Sequence, residues 1–74
     1  MSLARAPLRT LLRISAIRSN SPFSYRLMEM GLVEGAEIQV IRRAPLGDPL
    51  HVRLGDCDLS LRGSEAELVQ VSAG

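Results

Sequence analysis

Turn-forming residues interrupt this chain at short intervals, and this limits the length of any helix or strand. Glycine, proline, serine, asparagine and aspartate mark turns at 19–22, 31, 35, 44–49, 55–56 and 63–64. The segments between these turns are short and rich in aliphatic residues. Turns about ten residues apart with apolar runs between them are typical of an all-β sandwich or barrel of few strands.

The chain is long enough for a single domain. A core built from 74 residues buries only about 60% of the surface that the unfolded chain exposes. We expect residues 1–7 to form a flexible N-terminus, because chain ends are commonly disordered, and residues 8–74 to form one domain. Charged residues interrupt every apolar stretch, so no membrane span is predicted.

Period-2 alternation of apolar residues predicts the strands. It is clearest where Ile38 and Val40 alternate with polar neighbours, and a turn near 63–67 precedes the last strand. The predicted strands, apart from those of a hairpin described next, are Leu11–Arg18, Ala36–Arg43 and Leu68–Val71.

The hairpin over residues 50–61 can be predicted residue by residue. A two-residue loop at Gly55-Asp56 places Leu54 opposite Cys57 and Arg53 opposite Asp58. His51 then lies on the solvent face with the Arg53–Asp58 pair. The opposite face is wholly apolar and predicted to face the core; it consists of Leu50, Val52, Leu54, Cys57, Leu59 and Leu61.

A short helix is predicted over Phe23–Met30. Ser21 and Pro22 supply an N-cap and a first-turn proline, and Gly31 supplies the left-handed residue that ends many helices. A helix this short must pack on the sheet to be stable. The predicted packing face contains Phe23, Leu27 and Met30, spaced at i, i+4 and i+7.

No arrangement of residues typical of an enzyme is present. The sequence lacks a phosphate-binding glycine-rich loop and a recognisable nucleophile with its base, so we expect neither catalysis nor a cofactor. The single cysteine excludes an internal disulfide, which favours a reducing cytoplasm.

A metal site within one molecule is not expected either. His51 and Cys57 are predicted on opposite faces of the hairpin, so they cannot readily share an ion. Met28 and Met30 are more typical of core and interface packing than of a soft-metal site. The acidic residues Asp48, Asp56 and Asp58 could surround a hard cation, but turn formation and pairing with Arg53 explain them more simply. A homodimer, with metal bridging His51 and carboxylates of two copies, stays open.

The charge distribution argues against nucleic acid as a partner. Residues 1–28 carry five arginines and no acid, and residues 29–74 carry four arginines and eight acids. The chain has no lysine, and Phe23 and Tyr25 are its only aromatic residues that could stack on bases. The pair Arg42-Arg43 fits a solvated strand end as well as a functional role.

Five motifs in register closely resemble the FeoA family, small cytosolic components of bacterial ferrous iron uptake. The likeness covers roughly residues 11–72. The motifs run from Arg26 to Gly35, then Ile38-Gln39-Val40, Ala44-Pro45-Leu46-Gly47-Asp48-Pro49, Leu59-Ser60-Leu61-Arg62 and Glu65-Ala66.

The resemblance implies a small SH3-like barrel of about five strands with one short inserted helix. It also implies a non-enzymatic, cytoplasmic role at the inner face of the membrane, with ferrous iron transport and transition metal ion binding as its context. There the chain would bind and modulate the cytosolic GTP-binding region of the transporter FeoB, and contact the membrane only through it. An alternative is an SH3-like regulatory domain related to those of diphtheria-toxin-repressor-type metalloregulators, which also carry DNA-binding helices that these 74 residues do not contain.

Two segments are candidates for partner binding. On the helix, Arg26 and Glu29 should face outward, with Tyr25 and Met28 at the margin. The second candidate is the proline-flanked loop Leu46-Gly47-Asp48, whose rigidity limits the entropy lost on binding. For Leu46 the competing interpretation is a lid that folds back over the open end of the barrel.

Overall fold

The computed structural model describes residues 1–18 and 22–73. A 3-10 helix over Leu3–Arg5 precedes the first strand. The following elements, in chain order, are β1 (Leu12–Ile17), α1 (Pro22–Glu29), β2 (Glu37–Arg43), β3 (Leu50–Leu54), β4 (Cys57–Leu61), α2 (Gly63–Ala66) and β5 (Val69–Ala73).

The five strands form one antiparallel sheet in the order β4-β3-β2-β1-β5. This confirms the prediction of an all-β domain with about five strands and an inserted helix. The predicted strand over 11–18 is shorter by one residue at each end, and a bulge between Ile14 and Ala16 turns Ala16 outward. The turn near 63–67 contains the short helix α2.

The core lies between the curved sheet and the helices. Alternating residues of the strands supply most of it, as the period-2 pattern indicates. The fully buried aliphatic residues are Leu3, Ala6, Leu12, Ile14, Leu27, Leu32, Ile38, Val40, Leu50, Val52, Leu61, Ala66, Val69 and Val71.

The hairpin of β3 and β4 has the predicted register: Leu54 pairs with Cys57, Arg53 with Asp58 and His51 with Ser60. Its predicted burial is wrong at the loop end, because Cys57 is exposed. At its loop end the hairpin extends beyond β2. Leu54 still pairs with β2, but Gly55 only donates its N–H to the Glu37 carbonyl oxygen, at 3.2 Å. Nothing in the described chain covers Cys57.

Helix α1 spans Pro22–Glu29, one residue earlier at each end than the predicted Phe23–Met30. The residue proposed as its N-cap, Ser21, lies outside the described residues. Gly31 has φ 99°, and the N–H groups of Gly31 and Leu32 donate to the carbonyl oxygens of Met28 and Leu27, both at 3.0 Å. These two bonds form a Schellman motif, which satisfies carbonyls that the end of a helix leaves unpaired.

The predicted packing face of α1 is only partly correct. Leu27 is fully buried, but Phe23 and Met30 are 48% and 42% exposed. The second buried residue is Ser24, at i−3 from Leu27. The buried side of the helix is thus centred on Ser24 and Leu27, and the larger Phe23 and Met30 lie at its exposed margin.

The N-terminal segment, expected to be flexible, packs against the sheet in the structure. Leu3 and Ala6 are buried. Ser2 forms a bridge with Gln70 of β5. The Arg43 guanidinium Nη2 donates to the carbonyl oxygens of Ala4 (3.0 Å) and Ala6 (2.7 Å). Arg43 therefore has a structural role, and it is not simply a solvated residue at the end of its strand.

Candidate functional site

Helix α1 presents an apolar surface with one arginine and one glutamate. All four helix residues proposed for partner binding are exposed: Tyr25 at 58%, Met28 at 41%, and also Arg26 and Glu29. The incorrectly assigned Phe23 and Met30 join them. We define the α1 surface as Phe23, Tyr25, Arg26, Met28, Glu29 and Met30.

The sequence contains a signal that would have found this orientation. Only Ser24 and Leu27 of the helix are buried, because an eight-residue helix has barely two turns and one side of it meets the core. The i, i+4, i+7 spacing of Phe23, Leu27 and Met30 indicates a different face. Ser24 and Leu27, three positions apart, mark the alternative face, which is the one that the structure buries.

The loop over 44–49 holds Leu46 away from the protein. The Leu46 side chain is 97% exposed, so it does not form a lid over the barrel. The loop is closed by Ala44 N–H donating to the Pro49 carbonyl oxygen (3.1 Å) and by Gly47 N–H donating to the Ala44 carbonyl oxygen (2.7 Å). Gly47 has φ 86°, which suits glycine. These bonds give the loop one defined shape.

Asp48 fastens the same loop to helix α2. Its carboxylate Oδ1 accepts a hydrogen bond from the Gly63 N–H at 3.1 Å. Asp48 is thus explained by a local structural role in this conformation. Of the three loop residues proposed for binding, Leu46 and Gly47 form the projecting tip.

The two candidate segments do not form one continuous surface. Gly31, which follows helix α1, lies beside Leu54 at the last position of β3; a Cβ added to Gly31 would lie 3.2 Å from Leu54 Cδ2. The loop over 44–49 precedes Leu50, the first residue of that strand. Four residue steps along a strand span about 13 Å. Helix α2 connects the segments, since it contacts α1 and its first residue binds Asp48.

The polar residues of the hairpin pair with each other. The Arg53 Nε donates to Asp58 Oδ1 at 3.0 Å. This hydrogen bond and the attraction between the two charges raise the pKa of Arg53 above its ordinary value. Ser60 Oγ lies 3.4 Å from His51 Nδ1 on the same face. Asp58 and His51 therefore have partners within the hairpin.

Within residues 1–18 and 22–73, no three histidine, cysteine, aspartate or glutamate side chains lie close enough to hold a metal ion. His51 and Cys57 lie at different positions of the hairpin, and Asp48 and Asp58 are each engaged elsewhere. None of the helices in the described chain is long and apolar enough to cross a membrane.

A curated relative joins two functions in one chain. The Fe(2+) transport protein A/Fe(2+) transporter FeoB fusion protein of Porphyromonas gingivalis is 38% identical over 58 residues, which cover 78% of this chain. This chain spans only 7% of the length of that fusion protein.

Solved structures share the fold closely. The iron(II) transport protein A of Clostridium thermocellum is 34% identical, with a TM-score of 0.93 over 99% of this chain and 45% of that chain. The zinc complex of Stenotrophomonas maltophilia FeoA, described as a procaryotic SH3 domain protein, is 34% identical, with a TM-score of 0.86 over 97% of this chain and 89% of that chain. The SH3-like fold is thereby confirmed.

The alternative, a regulatory domain related to those of diphtheria-toxin-repressor-type metalloregulators, is supported in its fold alone. The manganese regulator SloR superposes with a TM-score of 0.85 over 100% of this chain and 34% of that chain, at 9% identity. Such low identity transfers no function. In contrast, the model of the FeoA domain family matches residues 1–73, the motifs quoted above included. This chain therefore belongs to the FeoA domain family.

Proposed function

We propose that this chain is a non-enzymatic accessory protein of bacterial ferrous iron uptake that binds and modulates a FeoB-type transporter through its cytosolic GTP-binding region. The observation that carries the proposal is the Porphyromonas gingivalis relative, in which a homologous domain and the transporter are one polypeptide. Fusion keeps two domains at a high effective concentration, which benefits domains that act on each other. The proposed site of action is the cytoplasmic face of the membrane.

The α1 surface is the primary docking site in this proposal. Aromatic residues, methionine and arginine are enriched at protein interfaces, and Tyr25, Met28 and Arg26 lie side by side on one helix. Their apolar area is exposed in the isolated chain. Covering it on binding would be favourable by about 25 cal/mol per Å² of apolar surface removed from water.

The tip of the loop is the second docking site. Leu46 is almost completely exposed, and the loop is held by hydrogen bonds to Pro49, Ala44 and Gly63. An apolar residue on a pre-ordered loop loses little conformational entropy when it binds. The partner must then span α1, α2 and the loop, or contact the two segments with separate parts.

Modulation requires only that the chain bind two states of the partner with different affinities. A regulator shifts a conformational equilibrium by its differential binding free energy and by no more. A tenfold preference for one state of the GTP-binding region corresponds to about 1.4 kcal/mol. The accessory chain needs no catalytic group for this.

Two substitutions test the docking sites. Arg26→Glu and Leu46→Ser should each weaken binding to the purified cytosolic region of the transporter by about tenfold or more, measured by calorimetric titration, without a change in melting temperature. Arg42→Glu on β2 and Leu11→Ser before β1 are the matched controls, because these residues are also exposed. The controls should bind as the wild type does.

Two results would contradict the proposal. One is equal retention of the chain by the transporter region and by an unrelated GTPase. The other is loss of binding in step with loss of thermal stability across the variants, which would make Arg26 and Leu46 structural residues.

A further inference from the structure

The two edges of the sheet differ in how they are covered. Along β5, Ser2 forms a bridge with Gln70, and the Val71 N–H donates to the Met1 carbonyl oxygen at 2.8 Å. Along β4, residues 1–18 and 22–73 supply no strand or bridge on the outer side. Strand β4 is therefore the open edge of the described sheet.

The hairpin register shows which backbone groups this edge leaves unpaired. Leu54 and Cys57 close a two-residue loop and form a hydrogen-bonded pair, so Leu59 and Leu61 also bond to β3. Asp58 and Ser60 belong to the alternate pairs, and their N–H and C=O groups point away from β3. The edge thus offers two donors and two acceptors for an added strand.

We propose that this edge binds a second copy of the same chain, with the two β4 strands antiparallel. In the symmetric register Leu59 lies opposite Leu59 of the second copy, and Asp58 lies opposite Ser60 of the second copy. All five residues of each strand overlap. Each Asp58–Ser60 pair exchanges two backbone hydrogen bonds, so the four unpaired groups of each copy are all satisfied.

The side chains favour the same register. Within one copy Asp58 is bonded to Arg53, and Ser60 Oγ lies 3.4 Å from His51 Nδ1. Pairing Asp58 with Ser60 of the second copy joins these pairs into one row across the interface: Arg53, Asp58, Ser60, His51. By symmetry the row occurs twice, and on the other face of the strands the two half-buried Leu59 side chains meet.

Neighbouring registers are less favourable. A shift by two residues in one direction places Asp58 opposite Asp58 of the second copy, and like charges directly opposite each other are destabilising. A shift in the other direction places Asp58 opposite Arg62, a pair of opposite charges, but the Arg62 N–H already donates to Glu65 Oε1 at 2.8 Å, so this register loses backbone hydrogen bonds of the added strand. Both shifts also reduce the overlap of the five-residue strands.

Hydrogen exchange measured by NMR on the full chain at increasing protein concentration tests the proposal. The amides of Asp58 and Ser60 should exchange rapidly in dilute solution and become protected as a dimer forms in sedimentation experiments. The amides of Leu59 and Leu61 should be protected at every concentration, because they bond within the hairpin. A chelator should not dissociate the dimer, in contrast to a dimer bridged by metal through His51.

Variants at Ser60 make the test specific. Ser60→Asp should weaken dimerisation by about tenfold or more, because it places two carboxylates opposite each other at both ends of the interface. Ser60→Pro should also weaken it, since the lost N–H is one that points outward. Ser72→Asp on β5 is the matched control and should dimerise as the wild type does.

The proposal is overturned if the chain stays monomeric at millimolar concentration or if dimers form without protection of Asp58 and Ser60. Protection that appears only when another protein is added would assign the edge to a different occupant. Equal dimerisation of the wild type and Ser60→Asp, with unchanged melting temperatures, would also refute it. The docking surfaces proposed above are not involved, so these outcomes leave the proposed function untouched.

Discussion

Replacing Arg43 tests how the N-terminal segment is held on the sheet. The guanidinium Nη2 donates to two carbonyl oxygens, those of Ala4 and Ala6. A hydrogen bond to a charged group contributes about 1.5–3 kcal/mol net. Because this contact is only partly buried, we take the lower end for each bond and expect Arg43→Met to reduce the free energy of unfolding by about 3 kcal/mol. Methionine keeps the apolar stem of the side chain, so the loss reports the hydrogen bonds.

The assay is urea and thermal unfolding of the full chain. For a domain of this size 1 kcal/mol corresponds to about 4–8 °C, so the melting temperature should fall by roughly 12–24 °C. Arg42→Met is the matched control, because Arg42 is the exposed neighbour on the same strand and should change stability by less than about 0.5 kcal/mol. Equal shifts for the two variants, or no shift for Arg43→Met, would refute the role of Arg43.

Two further predictions concern stability. Gly31→Ala should lower the free energy of urea unfolding more than Gly35→Ala does. Both glycines have positive φ, but of the two only Gly31 has a neighbour that the new Cβ would meet, Leu54 at 3.2 Å. Equal losses for the two variants would contradict this close contact. Cys57→Asp should change the melting temperature little, because Cys57 is exposed. Leu61→Asp at the other end of β4 should lower the free energy of unfolding by several kcal/mol or prevent folding, because Leu61 is buried. A large loss for Cys57→Asp would mean that the thiol is buried.

The hairpin shows why register could be predicted while burial could not. Register depends on a two-residue loop and on alternation, and both are local properties of the sequence. Burial at Cys57 depends on how far β2 reaches beside β3, which is a long-range property. Alternation identifies the face of a strand that is apolar, but not the point at which the core beneath that face ends.

The packing of residues 1–7 against the sheet differs from the expected flexible N-terminus for a related reason. That expectation rests on the position of the segment at the chain end, where disorder is common. Leu3 and Ala6 are buried, and Arg43 holds this segment by donating to the carbonyl oxygens of Ala4 and Ala6. Arg43 lies 39 and 37 positions away from these two residues along the chain. No pattern within residues 1–7 encodes a partner at that sequence distance.

The exposure of Phe23 and Met30 supports the proposal that helix α1 is a docking surface. Packing Phe23 and Met30 into the core would have left Tyr25 and Met28 as the apolar part of an otherwise charged face. In the structure all four are exposed, because Ser24 and Leu27 form the contact with the core. A short helix that buries a serine and exposes two aromatic residues and Met28, with Met30 exposed just after its end, does not maximise the burial of its own apolar area. Such an arrangement is costly for an isolated domain, and it supports the proposal that a partner covers the exposed residues.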